Sequence, residues 1–198
     1  MPLCTTRSTP SPCVQPPSAY RHDGFYLRLS AGAHYASFAG EGKSTDVSVH
    51  GFTSGTMLAI GGTPGEGVVV AGAIRGEQIR GTLHGAPKPG GNATATLGQL
   101  GFLMDWFPKP SDGWHAGGLL ALGIVSLSDS ELSDSSGAAF SGGVFGGYDF
   151  WIGPEWSLGV AGTFTGTTRA SLKDSNRDET GYALNALAGG IDVSFTLH

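Results

Sequence analysis

Five charged residues give the clearest chemical signal in this sequence, because they are interspersed with Gly, Ser, Thr and Ala rather than set in charged runs. They are Arg28, Arg75, Asp105, Asp149 and Asp192. Such charges inside a protein could form a gate or a proton or ion path. They could equally form a network of salt bridges that stiffens the interior. We favour the network, because an unpaired buried charge costs on the order of several kcal/mol.

Histidines could provide a catalytic base, which needs a nucleophile within hydrogen-bond reach and a third group to orient it. His34, His50, His84 and His115 are dispersed along the chain and form no compact group with a serine and an acid. One pairing stays open as a hypothesis, with His34 facing Ser48 or Ser126. Apart from it, the sequence does not predict an enzyme.

The sequence predicts no metal site and no cofactor. The acidic stretch with Asp129, Glu131 and Asp134 lacks the ligand spacing of an EF-hand. Cys4 and Cys13 have no neighbouring His or Cys that would complete a ligand set.

The composition limits which elements can position these residues. Glycine accounts for 34 of 198 residues, more than twice the usual share of roughly 7%, yet 39% of the chain is hydrophobic. Charged residues make up only 14%, and the net charge of −5 argues against a nucleic-acid partner. No run of 18 apolar residues could form a transmembrane helix, so a closed β-barrel is the remaining way to span a membrane.

Hydrophobic residues alternate with small or polar ones in eight segments, which is typical of β-strands. These segments are residues 25–35, 47–60, 68–79, 94–107, 114–126, 139–151, 156–169 and 181–197. In the last one the apolar face carries Leu184, Ala186 and Ala188 and then changes phase at Gly189-Gly190 to Ile191 and Val193, which predicts a β-bulge there.

The connections between these segments alternate between long and short, starting with a long one. The short connections are 61–67, 108–113 and 152–155, and the long polar ones are about 38–46, 80–93, 127–138 and 170–180. This asymmetry is characteristic of outer-membrane barrels, whose short turns are periplasmic and whose long loops are external. The sequence thus predicts an all-β, eight-stranded antiparallel up-and-down transmembrane β-barrel, with both termini periplasmic.

The position of the aromatic residues favours a barrel whose apolar face points outward to lipid. Phe25 and Tyr35 are ten residues apart, as are Phe140 and Phe150. Ten residues rise about 33 Å, which a strand tilt of about 40° projects to roughly 25 Å, the height of the apolar band. The predicted lipid-facing girdle consists of Phe25, Tyr35, Trp106, Trp114, Phe140, Phe150, Trp156, Phe164 and Phe195.

With this pattern the sequence resembles the small eight-stranded outer-membrane barrels of the OmpA/OmpX-like superfamily. The resemblance covers residues 22–198. It rests on the opening Gly24-Phe25-Tyr26-Leu27-Arg28-Leu29, on Gly146-Gly147-Tyr148-Asp149 before a Trp-Ile-Gly turn, and on the alternating last strand. It implies a bacterial outer-membrane protein.

We therefore expect a tail or leader remnant over residues 1–21, in which no export signal is visible, and a barrel domain over residues 22–198. The expected function is a structural or surface-interaction role through the external loops, with a filled lumen and no catalysis. The expected partners are outer-membrane lipids, lipopolysaccharide and a surface ligand of the loops, and the expected state is a monomer. The alternatives are a lipid-modifying barrel enzyme and a secreted, soluble, lipocalin-like carrier with an apolar cavity.

Overall fold

The computed structural model of the chain describes residues 20–41, 46–82, 84, 92–129, 135–173 and 179–198. Residues 1–19 of the predicted tail, Glu131 and Asp134 of the acidic stretch, and the middle of each predicted long loop lie outside these ranges. The described residues form strands β1 (Gly24–Glu41), β2 (Val47–Gly65), β3 (Val68–Thr82), β4 (Asn92–Trp106), β5 (Trp114–Asp129), β6 (Ser135–Trp151), β7 (Trp156–Thr167), β8 (Ala170–Lys173) and β9 (Glu179–Leu197). Among them there is no helix of the length and apolarity needed to cross a membrane.

The strands close into a single antiparallel barrel. Each strand from β1 to β7 pairs with the next one in sequence, and β1 also pairs with β9, from Leu27 opposite Leu197 to Glu41 opposite Ala183. The short β8 pairs with β6 and β9, which are also the neighbours of β7. Since β7 and β8 together make one wall strand, the barrel has eight strands, and the predicted fold class is confirmed.

All three short turns lie at one end of the barrel, the short-turn rim, together with Gly24 and Leu197. Glu66 and Gly67 join β2 to β3, Phe107–Gly113 joins β4 to β5, and Ile152–Glu155 joins β6 to β7. Gly67 has a φ of +68°, and a Cβ there would collide with the carbonyl oxygen of Phe107. The opposite end, the long-loop rim, carries the other connections, and the strands extend further toward it than the sequence predicts.

The β-bulge predicted at Gly189-Gly190 is wrong. The β1–β9 pairing continues without a shift from Tyr35 opposite Gly189, through His34 opposite Gly190, to Ala33 opposite Ile191. Consequently Leu184, Ala186 and Ala188, which the phase change placed outside, point into the lumen and are buried. The lumen is apolar near the long-loop rim. Its side chains there are of the same type as those on the lipid-facing surface, so the sequence alone does not distinguish the two faces.

The phase change occurs instead between β7 and β8. Ser141 of β6 pairs with Thr167, and Ser136 of β6 pairs with Lys173. The β7–β8 side therefore advances six residues while β6 advances five, so the β7–β8 wall strand carries one extra residue. The Thr168 amide donates to the Phe140 carbonyl at 2.8 Å, and the Phe140 amide donates to Thr168 Oγ1 at 3.1 Å. Because of this bulge, Arg169 is exposed, although uninterrupted alternation from β7 would place its side chain in the lumen.

The two faces of the wall have opposite character. The outward face exposes large apolar side chains along its whole height, for example Leu120 (76%), Phe102 (74%) and Phe140 (71%). The lumen contains the buried charges and two apolar clusters. One lies near the short-turn rim, around Tyr26 and Leu103, and the other fills the half toward the long-loop rim, around Phe38 and Leu97.

Candidate functional site

The lower charge cluster, formed by Arg28, Asp105, His115 and Asp149, lies in the lumen near the short-turn rim. The Arg28 guanidinium donates to Asp105 Oδ2 at 2.9 Å and to Asp149 Oδ2 at 2.6 Å. The His115 ring lies between the other oxygens of these carboxylates, with Nδ1 3.0 Å from Asp105 Oδ1 and Nε2 3.5 Å from Asp149 Oδ1. All four side chains are at most 3% exposed.

Further hydrogen bonds fix this cluster to the wall. Arg28 Nε donates to Thr196 Oγ1 at 3.0 Å, and the Tyr26 hydroxyl lies 3.4 Å from Asp105 Oδ2. The Ser157 hydroxyl lies 3.5 Å from Asp149 Oδ2. Such a network holds its charges in place instead of presenting them to a mobile ion.

The middle charge cluster, formed by His34, Arg75, Glu77 and Asp192, lies halfway along the lumen. Arg75 Nη2 donates to Glu77 Oε1 at 2.8 Å, and Arg75 Nη1 lies 3.4 Å from Asp192 Oδ2. His34 Nε2 is 3.1 Å from Asp192 Oδ1, and His34 Nδ1 is 3.6 Å from Glu77 Oε1. As in the lower charge cluster, one arginine and one histidine each bridge the same two carboxylates, so the four groups form a closed ring.

The five charges predicted from the sequence therefore all lie in the lumen, but they belong to two separate networks. Arg28, Asp105 and Asp149 meet in the lower cluster, while Arg75 and Asp192 meet in the middle one. The sequence analysis missed Glu77 and the role of His115. Strand alternation could have found both. Glu77 is two residues from Arg75 and therefore on the same face, and His115 follows the outward Trp114 and therefore points into the lumen.

The proposed contact of His34 with Ser48 or Ser126 is wrong. Ser48 and Ser126 belong to the outward positions of β2 and β5, alternating with buried lumen residues such as Val49 and Val125. The His34 ring points inward and is 3.3 Å from the Thr163 hydroxyl, next to the two carboxylates of its cluster.

A group of four rings, the rim plug, closes the lumen at the short-turn rim. His22 stacks on Phe107 with ring centroids 3.6 Å apart and lies 4.6 Å from Trp151 and 4.1 Å from His198. The segment before β1 is held by backbone bonds from Tyr20 to Pro154 at 2.9 Å and from His22 to Pro110 at 2.8 Å. His22 and His198 lie outside the alternating segments, so strand periodicity gave no signal for them.

Burial governs the charge of the two histidines in the rim plug. It lowers the pKa of His22 to about 4, since the desolvated imidazolium is disfavoured more than the nearby Asp149 stabilises it. Burial, with His22 and Arg28 nearby, also lowers the pKa of His198. Both rings are therefore neutral at pH 7, and the rim plug adds no charge to the lumen.

Near the long-loop rim, the outer face of the wall carries an open recess of about 350 Å³. Its lining includes Asp46, Ser48, His84, Arg169 and Asn185. Inside the wall at this end, the lumen is filled by apolar side chains such as Phe38, Val49 and Leu184, each at most 2% exposed. The recess is therefore a polar feature of the outer face beside the long loops.

The nine aromatic residues predicted for the girdle all project from the outer face. Eight of them are 40–71% exposed. Trp156 is half-buried, because it stacks on Phe195 with a centroid distance of 4.5 Å. The structure adds Phe52, which is 85% exposed and contacts Tyr35 in the half toward the long-loop rim, and Tyr148, which contacts Trp114 near the short-turn rim.

No protein-family model and no curated protein matches this sequence. Among solved structures, the chain is similar to the outer membrane protein OprG from Pseudomonas aeruginosa, with a TM-score of 0.56 and 10% identity over 91% of this chain and 99% of that one. The outer membrane protease OmpT from Escherichia coli (TM-score 0.47, 8% identity, 89% and 97% covered) and the Neisserial surface protein A (0.46, 14%, 84% and 96%) overlap less well. At 10% identity the likeness to OprG shows the fold alone. The chain has the fold of a small outer-membrane β-barrel.

Proposed function

We propose that this chain is a bacterial outer-membrane protein whose closed barrel carries a structural or surface-interaction role. In this proposal the short-turn rim and both ends of the barrel domain face the periplasm, and the long-loop rim faces outward. Outer-membrane lipids and lipopolysaccharide surround a monomeric barrel.

The observation that carries the proposal is the apolar outer face. Leu120, Leu122 and Ile124 on β5 alone are 60–76% exposed. Exposed aromatic side chains lie at the short-turn ends of several strands, with a second set, Tyr35, Phe140 and Phe164, eight to ten residues further along. Exposing so much apolar surface to water is unfavourable, whereas a bilayer solvates it. A soluble carrier needs the opposite arrangement, with its apolar face around an inner cavity.

The filled lumen supports a role carried by the loops rather than by transport or catalysis. Two rings of paired charges, the rim plug and an apolar section occupy the interior, and eight strands leave only enough width for side chains. The polar recess on the outer face beside the long loops, with Asp46, His84 and Arg169, is a described surface on which a ligand of the loops would bind.

The lipid-modifying alternative has less support. Its proposed base, His34, is 2% exposed and is engaged with Asp192, Glu77 and Thr163 inside the lumen. Replacing His34 with Gln should leave the lipid A composition of the host membrane unchanged, as judged by mass spectrometry. A changed acylation pattern would favour the enzyme.

Membrane residence can be tested by comparing folding in buffer with folding in detergent micelles. We expect β-rich circular dichroism and heat-modifiable gel migration only in micelles, together with no stable ion conductance in planar bilayers. A monodisperse β-protein in plain buffer would contradict the membrane assignment. Steady conductance steps would contradict the filled lumen.

A further inference from the structure

Where the rim plug meets the lower charge cluster, three side chains of metal-ligand type come together, and the proposed function does not use them as a group. His22, Asp149 and His198 each offer one ligand atom, and these atoms lie within 4.8 Å of one another. Among the described residues this is the one such group of three or more His, Cys, Asp or Glu side chains. We propose that it binds a divalent transition-metal ion of the Zn²⁺ or Co²⁺ class.

Hydrogen bonding prepares His22 as a ligand. Its Nε2 lies 3.1 Å from the carbonyl oxygen of Asp112, which can only accept, so Nε2 carries the hydrogen. The lone pair is then on Nδ1, which points at the His198 ring. Metal-binding histidines commonly have this partner, a backbone carbonyl that fixes the tautomer and orients the ring.

The distances are close to those around a small ion. His22 Nδ1 is 3.1 Å from both Nδ1 and Nε2 of His198, and two nitrogens bound to one tetrahedral Zn²⁺ at about 2.0–2.1 Å are roughly 3.3 Å apart. Asp149 Oδ2 lies 4.0 Å from His198 Nε2, and all the ligand atoms lie within 4.8 Å, so a rotation of the His198 ring and side-chain movements of about 1–2 Å bring the three ligands around one ion. The Ser157 hydroxyl, 3.1 Å from His198 Nε2, lies where a fourth ligand or a bound water would be.

The donor chemistry and the local charge select the class of ligand. Two imidazoles and a carboxylate favour Zn²⁺, Co²⁺, Ni²⁺ or Cu²⁺ over Ca²⁺ and Mg²⁺, which prefer oxygen ligands. Arg28 opposes a cation, but the carboxylates of Asp105 and Asp149 outnumber it. The site therefore suits a cation rather than an anion.

A metal ion here would connect three separate parts of the chain. His22 precedes β1, Asp149 lies near the end of β6, and His198 follows β9. The ion would fasten the segment before β1 across the mouth of the barrel. This inference does not depend on membrane location, so the two proposals can fail separately.

The test is a Co²⁺ titration of the full chain in micelles, without a polyhistidine tag and with Cys4→Ser and Cys13→Ser to remove thiol ligands. We expect visible absorption bands of bound Co²⁺, which Zn²⁺ displaces. His22→Gln is the main variant, because its residue lies outside the barrel strands and the barrel should still fold. It should weaken Co²⁺ affinity at least tenfold, as should His198→Gln.

His50→Gln and His84→Gln are the matched controls, since these rings stack on each other at 5.3 Å far from the plug. They should leave Co²⁺ affinity unchanged. As a second readout, Zn²⁺ should slow hydrogen exchange at the amides of Tyr20 and His22. Folded protein that shows no Co²⁺ bands, or equal affinity in the wild type and His22→Gln, would overturn the proposal.

Discussion

The Asp149 carboxylate lies 2.6 Å from the Arg28 guanidinium, although 121 positions separate the two residues in the chain. This ion pair joins β1 to β6 across the lumen, and Asp149 also faces His115 and the rim plug. Arg28 is thus the residue on which both carboxylates of the lower charge cluster depend.

Replacing Arg28 with Met should strongly destabilise the barrel. The substitution keeps the side-chain volume but leaves Asp105 and Asp149 without their guanidinium, and breaking a buried pair in this way costs about 3–5 kcal/mol. Urea unfolding in micelles measures the change. Arg80→Met is the control, because Arg80 is exposed near the long-loop rim. A free energy of unfolding within about 1 kcal/mol of the wild type would mean that the cluster contributes little.

Two glycines of β4 should respond differently to Ala. A Cβ on Gly101 would collide with the Leu120 carbonyl oxygen and the Ala121 Cα of the facing strand, whereas a Cβ on Gly98 meets nothing within 4 Å. Gly101→Ala should therefore lower the free energy of unfolding by about 1–3 kcal/mol. Gly98→Ala should be neutral or slightly stabilising. Equal effects would show that the wall is not packed as closely as these contacts indicate.

Acid should release the segment before β1. The folded-state pKa of His22 is about 4, below the ordinary 6.5, so the opened segment binds a proton more tightly than the closed one. Closure is therefore fully stabilised above about pH 6.5 and loses up to about 1.4 kcal/mol per pH unit down to about 4. Hydrogen-exchange protection of Tyr20 and His22, measured by NMR with a chelator present, should fall over this range.

His22→Phe provides the comparison for the acid effect. Phe keeps a ring against Phe107 but cannot take up a proton. Protection in this variant should fall less steeply between pH 6.5 and pH 4 than in the wild type, because only His198 is left to take up a proton when the rim plug opens. If it falls as steeply as in the wild type, another group controls the opening.

The outer face should tolerate charge near a rim but not at mid-height. Leu120→Arg places a guanidinium on the lipid side of mid-β5 and should cost about 2–4 kcal/mol in lipid vesicles. Ile152→Arg lies in a short turn, where the same change should cost about 0–1 kcal/mol. Unfolding of both variants in vesicles measures the difference. Similar costs would contradict a bilayer around the middle of the wall.

Alternation of apolar and polar residues was sufficient to predict the strands of the barrel wall, because successive residues of a strand point alternately to the lumen and to the outside. It placed Arg28, Arg75, Asp105, Asp149 and Asp192 in the lumen. It could not assign them to two clusters, since register and height along the lumen depend on pairing between distant strands. Nor could it distinguish an apolar lumen from an apolar exterior, and this is why Leu184 was assigned to the wrong face.

The rim plug was beyond sequence reasoning for a different reason. His22 and His198 are 176 positions apart and outside any periodic segment, so only closure of β1 against β9 brings them together. The Thr168 bulge was equally hidden. The Thr168 hydroxyl accepts the hydrogen bond of the Phe140 amide, which a backbone carbonyl would accept in a regular strand pair. Nothing in the composition of residues 156–173 indicates a bulge at this position.

The uneven distribution of charge along the lumen affects how such a barrel could enter a bilayer. Both charge clusters lie in the half nearer the short turns or at mid-height, and the half toward the long loops is lined largely by alanine and aliphatic side chains. If the chain inserts with its long loops first, the lumen side chains that enter the bilayer first are apolar and cost the least to dehydrate. The two charge clusters enter last and cross only part of the membrane thickness. We therefore expect the polar loops, rather than the lumen charges, to set the free-energy barrier to insertion.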